Sequence, residues 1–177
     1  RPTASGAIVS RLSPSSDVAS GDQVGDGDDR RRLRLAVGIA SLGRPAVLAQ
    51  TLQRLRLQSR APDYVVVCAP DSCDLQGAAQ AYPGVTALAG PRGLACQRNA
   101  ILRDVQAYDV LVFFDDDFVA SPDYLQNVEA IMLDHADVVM TTGRLIEDGI
   151  LGPGLTFDAA DLLLAEAGRS PAPRGEI

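Results

Sequence analysis

Five apolar residues, Val110-Leu111-Val112-Phe113-Phe114, run without a spacer into Asp115-Asp116-Asp117. Their β-branched and aromatic character is that of a strand buried on both faces, which belongs in the middle of a parallel sheet. In such sheets the carboxyl ends of the strands open onto a ligand crevice. Three carboxylates placed there repel one another and lose hydration, and a hard divalent cation with oxygen ligands would relieve both effects. A solvated acidic turn that caps the next helix would be the plainer role. Ser121-Pro122 already supplies a start signal for that helix, Ser as cap and Pro at the first helical position, so capping leaves the triplet unexplained.

The segments around this strand predict its neighbours. Leu33, Leu35, Val37 and Ile39 alternate with Arg34, Ala36, Gly38 and Ala40, a period of two that predicts a strand. Ser41-Leu42-Gly43-Arg44-Pro45 is the following turn, and Val47, Leu48, Leu52, Leu55 and Arg56 fit one helical face and its edge. A strand Tyr64-Val65-Val66-Val67-Cys68, a short helix from Leu75 to Ala81, a strand over 85–88 and a helix from Leu94 to Val105 come next. Beyond the triplet, Tyr124, Leu125, Val128, Ile131 and Met132 predict an amphipathic helix, 137–142 a strand and 162–167 a last helical fragment. Alternation of this kind implies an α/β fold with a mostly parallel sheet, because parallel neighbours need crossover connections. Residues 41–44, 69–74 and 115–117 all follow strand ends, so they are expected to converge on one edge.

Composition removes several chemistries. The net charge of −7 argues against a nucleic-acid surface. All 16 basic residues are Arg, which excludes a P-loop lysine, Schiff-base chemistry and a Ser–Lys dyad. His135 is the sole histidine and reads as a helix-end residue favoured by the dipole rather than a catalytic base. Cys68, Cys73 and Cys96 lack metal-site spacing and are expected to be free thiols. No stretch approaches the ~20 apolar residues of a membrane span. Residues 1–32 are rich in Ser, Gly, Asp and Pro, with five Arg offset by five Asp, and are expected to form a disordered tail. Arg30-Arg31-Arg32 with Arg34 is a solvated charge run, with contact to anionic lipid headgroups as the alternative. The chain opens on Arg1 and is expected to be an excerpt or to have lost residues from its start.

In this order the features resemble a family 2 glycosyltransferase with a GT-A fold, a Rossmann-like, mostly parallel sheet flanked by helices. The matching pieces are Ser41-Leu42-Gly43-Arg44-Pro45, Thr51-Leu52 through Gln58, Gly93-Leu94-Ala95-Cys96-Gln97-Arg98-Asn99-Ala100, Phe113-Phe114-Asp115-Asp116-Asp117 and Pro122-Asp123-Tyr124-Leu125. The resemblance covers 33–149 and implies transfer of a sugar, with inversion, from a nucleotide-diphosphate donor to a glycan or lipid-linked acceptor. It implies Mn²⁺ or Mg²⁺ held by Asp115 and Asp117, with Asp117 the direct ligand and Asp115 nearer the ribose or a metal-bound water. Ser41, Arg44, Asp71, Arg98, Asn99, Asp115 and Asp116 become the nucleotide-binding candidates. Many relatives carry two acidic residues and Gly-Ser after the second strand; here Cys68-Ala69-Pro70-Asp71-Ser72-Cys73-Asp74 stands instead. Asp71 then takes over, or base recognition differs, and Asp74 is expected to cap the short helix.

The same resemblance divides the chain into the tail, a nucleotide-sugar-binding core over 33–152 and the start of an acceptor-side region over 153–177, with the fold incomplete at its C-terminus. The general base is expected beyond Ile177, since Glu147, Asp148, Asp158 and Asp161 read as loop solubility or helix-start residues. Leu151, Leu155, Phe157 and residues 162–164 are expected to lack part of their cover, favouring self-association. A cytoplasmic enzyme of bacterial polysaccharide or cell-envelope glycan synthesis, including one at the inner face of the membrane, fits by analogy. A nucleotide-sugar-binding module without turnover is the competing class. A phosphatase of the haloacid-dehalogenase type fits less well, because Phe118-Val119 follows the triplet and Lys is lacking.

Overall fold

Small residues on one face of the first core strand decide how the layers meet. A computed structural model describes residues 9–11, 32–149 and 154–169. Strand β1 is Val9–Arg11 and strand β2 Leu35–Ala40; helix α1 follows at Pro45–Leu55 and strand β3 at Tyr64–Ala69. All six residues of β2 are buried. Leu35, Val37 and Ile39 pack with Leu48, Leu52 and Leu55 of α1. Ala36 and Gly38 leave room on the opposite face, where a Cβ built on Gly38 would stand 2.6 Å from Cγ2 of Ile101. Ile101 lies on helix α3, Leu94–Asp104, so these small residues let that helix sit directly on the sheet.

The remaining elements are a 3-10 turn at Ser72–Leu75, helix α2 at Ala78–Ala81, strand β4 at Thr86–Ala89, strand β5 at Val110–Asp115 and strand β6 at Val119–Ala120. Helix α4 at Tyr124–Asp134, strand β7 at Arg144–Glu147 and helix α5 at Phe157–Arg169 complete the order. Four strands form a wholly parallel sheet in the order β4-β3-β2-β5. The sheet therefore carries α1 and α4 on one face and α3 on the other, the α/β arrangement that the sequence predicts. A second sheet, β6-β1-β7, pairs β1 parallel to β6 and antiparallel to β7. Helix α5 covers this region with Phe157, Ala160 and Leu164, in one cluster with Val47 and Val119. Each fully buried side chain of this size contributes about 1.5–3 kcal/mol. No helix of the described residues is long and apolar enough to cross a membrane.

Several sequence expectations are corrected. Residues 137–142 form no strand; Val139 and Met140 are 94% and 84% exposed, and the strand falls at Arg144–Glu147, where β1 offers a partner. A β-branched, apolar run without a neighbour to pair with does not make a strand. Helix α4 starts at Tyr124 with Asp123 as N-cap, so Ser121 is not its cap and Pro122 not its first residue. Instead the Ser121 carbonyl accepts from the Tyr124 N–H and from Gln58 Nε2, the latter at 2.7 Å. The last helix is longer than expected, and Thr156 Oγ1 accepts from the Ala159 N–H at 3.2 Å in its first turn. Phe157 and Leu164 are covered rather than left bare, while Leu162 is exposed and Leu151 lies outside the described residues. Within the expected tail, Val9–Arg11 is a strand; residues 1–8 and 12–31 lie outside the described residues. Cys68, Cys73 and Cys96 are free thiols, as expected.

At the opposite, amino-terminal edge of the sheet, charged side chains tie the strand starts together. Arg60 Nε donates to Glu129 at 2.8 Å and Arg60 Nη2 to Asp63 Oδ2 at 2.8 Å. Asp63 also accepts from the Leu35 N–H at 2.9 Å and from Arg32 at 2.9 Å. Burial pushes the Asp63 carboxyl up, but the hydrogen bonds from Arg60 and the Leu35 N–H, with the charges of Arg60 and Arg32, hold it below the usual 3.8. In the window between folded and unfolded pKa the unfolded chain binds more protons. Asp63 therefore stabilises the fold fully above 3.8, and that contribution fades as pH falls through its depressed folded value. Asp63→Ala is expected to cost about 1.5–3 kcal/mol near neutral pH and markedly less in strong acid. Urea melts of both proteins at the two pH values check this; an undiminished gap in acid would contradict it.

Candidate functional site

Strands β3 and β4 lie on one side of β2 and β5 on the other, so the chain connections diverge between β2 and β5. This is the position where open α/β sheets leave a crevice at the strand ends. The register pairs Ala40 with Asp115, which sets the 41–44 loop directly beside the acidic triplet. The Phe118 N–H donates to the Asp115 carbonyl at 3.1 Å, closing a turn with Asp116 and Asp117 at its centre.

Each aspartate of the triplet meets a guanidinium. Arg44 stands at the N-cap position of α1; its Nη1 donates to Asp117 Oδ2 at 2.9 Å and its Nη2 to Asp116 Oδ1. Ser41 Oγ donates to Asp116 Oδ2 at 2.9 Å. Arg98 on α3 donates through Nη2 to Asp115 Oδ1 at 2.8 Å, its guanidinium 5.5 Å from the Phe113 ring centroid. The absence of any Arg within ten residues of the triplet suggests from sequence that the carboxylates lack a cationic partner; the fold overturns that by bringing in Arg44 and Arg98. Ser41, Arg44, Arg98, Asp115, Asp116 and Asp117 thus come together at one edge of the sheet.

Two candidates stay outside this set. Asp71 pairs with Arg92 at 3.0 Å, both exposed, and Asn99 is exposed on α3 without a side-chain hydrogen bond among the described residues. Asp74 does not cap α2, whose N-cap is Gly77. Its Oδ1 accepts from the Gly43 N–H at 2.9 Å, so it braces the 41–44 loop from below. Gly43 has φ +71, a conformation that suits glycine.

Thr51, Gln58 and Gln97 lie in segments that carry the family resemblance but were not among the expected site residues, and each makes a positioning contact. Thr51 Oγ1 donates to the Asp116 carbonyl at 2.7 Å from within the apolar face of α1. Gln58, beyond α1, joins the turn before α4 through Nε2 to the Ser121 carbonyl and through the Leu125 N–H to its Oε1 at 3.0 Å. Gln97 Nε2 donates to the carbonyls of Ser41 at 2.9 Å and Cys68 at 2.8 Å, binding α3 to the ends of β2 and β3. The available signal is a polar residue on an otherwise buried helical face: Thr51 between Leu48 and Leu52, Gln97 one turn before Ile101.

Burial is the dominant electrostatic influence here. It leads the rise of the Asp116 carboxyl, which together with the charge of Asp117 outweighs the pull of Arg44 and Ser41. Asp117 is likewise raised by burial against the pull of Arg44, and Asp115 adds to it. Three carboxylates against two guanidinium groups leave a formal charge of −1. Arg98 also keeps a buried Nε without a hydrogen-bond partner. An oxygen-rich, under-compensated cluster with a spare donor suits a cation together with an anion. Among the described residues no three His, Cys, Asp or Glu side chains gather to hold an ion by themselves. Asp115 and Asp117 fit a metal that takes one or two carboxylates and completes its shell with water and phosphate oxygens.

The sequence profile of Glycosyl transferase family 2 matches residues 36–156, about two thirds of the chain and the whole of this site. The chain belongs to glycosyl transferase family 2. The parallel sheet flanked by helices is accordingly a GT-A, Rossmann-like domain. Among curated proteins the chain finds no match. Family 2 membership makes glycosyl transfer the general chemistry and a nucleotide-sugar donor and an acceptor its general partners. Within this glycosyl transferase domain, Gln97→Leu would leave the buried Ser41 carbonyl without its side-chain donor, while the Cys68 carbonyl keeps the Ser41 N–H at 3.0 Å. A loss of about 1–3 kcal/mol, the range for one unsatisfied buried group, is expected in urea unfolding. A loss below about 0.5 kcal/mol, the level of an ordinary surface substitution, would show that the Ser41 carbonyl is satisfied otherwise.

Proposed function

We propose that the crevice between the ends of β2 and β5 binds a nucleoside-diphosphate sugar, and that the chain transfers the sugar with inversion in a reaction dependent on Mg²⁺ or Mn²⁺. The observation that carries this is the meeting of Arg44, Arg98 and the three aspartates at the topological switch point of a family 2 domain. In this assignment the partly exposed guanidinium of Arg98, bonded to Asp115 through Nη2, reaches the nucleotide. Asp117 and Asp115 hold the metal, which when bound stabilises negative charge developing on the leaving diphosphate as a Lewis acid. Arg44 holds Asp117 in place and lowers the repulsion among the carboxylates. Ser41 and the 41–44 loop border the nucleotide, kept rigid by Asp74 and Gln97.

No general base is assigned. Asp161 is paired with Arg54 at 2.6 Å and Asp158 lies in the first turn of α5. A donor-consumption assay separates a working transferase from a module that binds the nucleotide sugar without turnover.

Titration calorimetry with UDP, GDP and dTDP, each with and without Mn²⁺, tests the site. Metal and nucleotide are expected to bind cooperatively to the wild type, and Asp117→Ala to abolish that cooperativity. Equal nucleotide affinity for both proteins in both conditions would remove the assignment. Arg98→Ala is expected to weaken nucleotide binding by about 1.5–3 kcal/mol, the range for hydrogen bonds to charged groups, with little change in Tm. A large fall in Tm with unaltered affinity would make Arg98 a structural residue.

A further inference from the structure

Asp116 differs from its two neighbours in how completely its carboxylate is engaged. Asp116 and Asp117 are both buried, 3% and 5% exposed, whereas the Asp115 side chain is 36% exposed. The oxygens of Asp116 are all engaged: Oδ1 by Arg44, Oδ2 by Ser41 and the main-chain carbonyl by Thr51. These three partners belong to the end of β2, the N-cap position of α1 and the second turn of α1. With both carboxylate oxygens and the carbonyl taken, Asp116 offers a nucleotide or metal no oxygen, whereas Arg44 takes only Oδ2 of Asp117.

We propose that Asp116 is a positioning residue: it anchors Arg44 and the 41–44 loop beneath the nucleotide and touches no ligand. The proposal rests on the nucleotide-binding assignment of the same crevice. The physical link is the rigid, planar guanidinium of Arg44. One of its terminal nitrogens is held by the buried Asp116 and the other reaches Asp117 at 2.9 Å. Fixing the first end sets the plane of the group, and the plane sets where the second end meets Asp117. Asp116 therefore acts on Asp117 through Arg44. Thr51 and Ser41 keep Asp116 itself from turning, since they hold its backbone and its second carboxylate oxygen. The consequence is a division of labour within three consecutive residues: Asp115 and Asp117 each give a guanidinium one carboxylate oxygen and serve the ligand, and the residue between them holds the frame.

The experiment is a double-mutant cycle between Asp116 and Arg44, with Asp116→Asn beside Asp116→Ala because the asparagine keeps the shape and an acceptor for Ser41. UDP, GDP and dTDP with Mn²⁺ are the probes, read by calorimetry, with electron paramagnetic resonance of the bound Mn²⁺ and Tm measured in parallel. In the wild-type background either Asp116 variant is expected to weaken nucleotide affinity about tenfold, and in an Arg44→Ala background by less than about twofold, the non-additivity of coupled neighbours. The Mn²⁺ signal of the bound complex is expected to keep its wild-type form in Asp116→Asn. An equal loss in both backgrounds, or an altered Mn²⁺ signal in Asp116→Asn, would make Asp116 a direct contact and overturn the proposal. A lower Tm with unchanged nucleotide affinity would overturn it in favour of a purely structural role. If the wild type binds none of the three nucleotides, the assignment of the crevice fails first and the proposal with it.

Discussion

Everything in the site depends on the parallel pairing of β2 with β5 in the register that sets Ala40 against Asp115. Two strand ends lie side by side there with no third strand between them, and the loops beyond them lean the same way. A shift of one residue would turn Asp115 to the other face and separate the triplet from Ser41 and Arg44. The register is held from both sides of the sheet. Leu35, Val37 and Ile39 lock into the α1 and α4 face, while Ala36 and Gly38 admit Ile101 of α3. A helix that approaches this closely can place Gln97 against the Ser41 and Cys68 carbonyls and Arg98 against Asp115. Core packing and site geometry are in this sense one constraint.

Electrostatics works against the fold at the same place. Carboxylates removed from water lose hydration worth more than one nearby guanidinium returns, which is why burial leads the upward shifts of Asp116 and Asp117. Arg44 cannot satisfy both fully, and the cluster retains a formal charge of −1 with Arg98 included. Ion pairs of this kind add little net stability, though removing one partner is costly because the other charge is then left buried. Their value lies in holding charge in a defined place. Sites of perturbed carboxylates in a crevice are where binding and catalysis are most often found. The contrast with Arg60, Asp63 and Glu129 at the other sheet edge is instructive. There the hydrogen bonds outweigh burial, Asp63 is held low, and the network serves to fasten the strand starts.

Most of the core strands and helices were legible in the residues because each carries its own period. The Tyr64–Ala69 strand and the Leu94–Asp104 helix need no knowledge of their partners to be recognised. Errors gather where a local pattern depends on something distant. Residues 137–142 have the β-branched and apolar content of a strand, yet pairing falls to Arg144–Glu147, because that is where β1 runs alongside. Val119–Ala120 is too short to show a period, and it is a strand only because β1 pairs with it. Ser121-Pro122 carries the chemistry of a helix start, but the Ser121 carbonyl is taken by Gln58 and Tyr124 and the helix begins two residues beyond Pro122.

By itself the sequence determined the alternation of strands and helices, the placement of three loops at one sheet edge, the oxygen-only character of the triplet and the restriction of its cations to arginine. Those properties reside in residue types and short spacings. Tertiary structure decided which arginine meets which aspartate, and that Asp116 turns inward while Asp115 stays partly exposed. Arg44 and Asp116 are 72 residues apart, Ser41 and Asp116 75. Contacts over such separations exist only once the sheet order and register bring the strand ends together. Local periodicity records which residues share a face; it carries no information about what that face will meet.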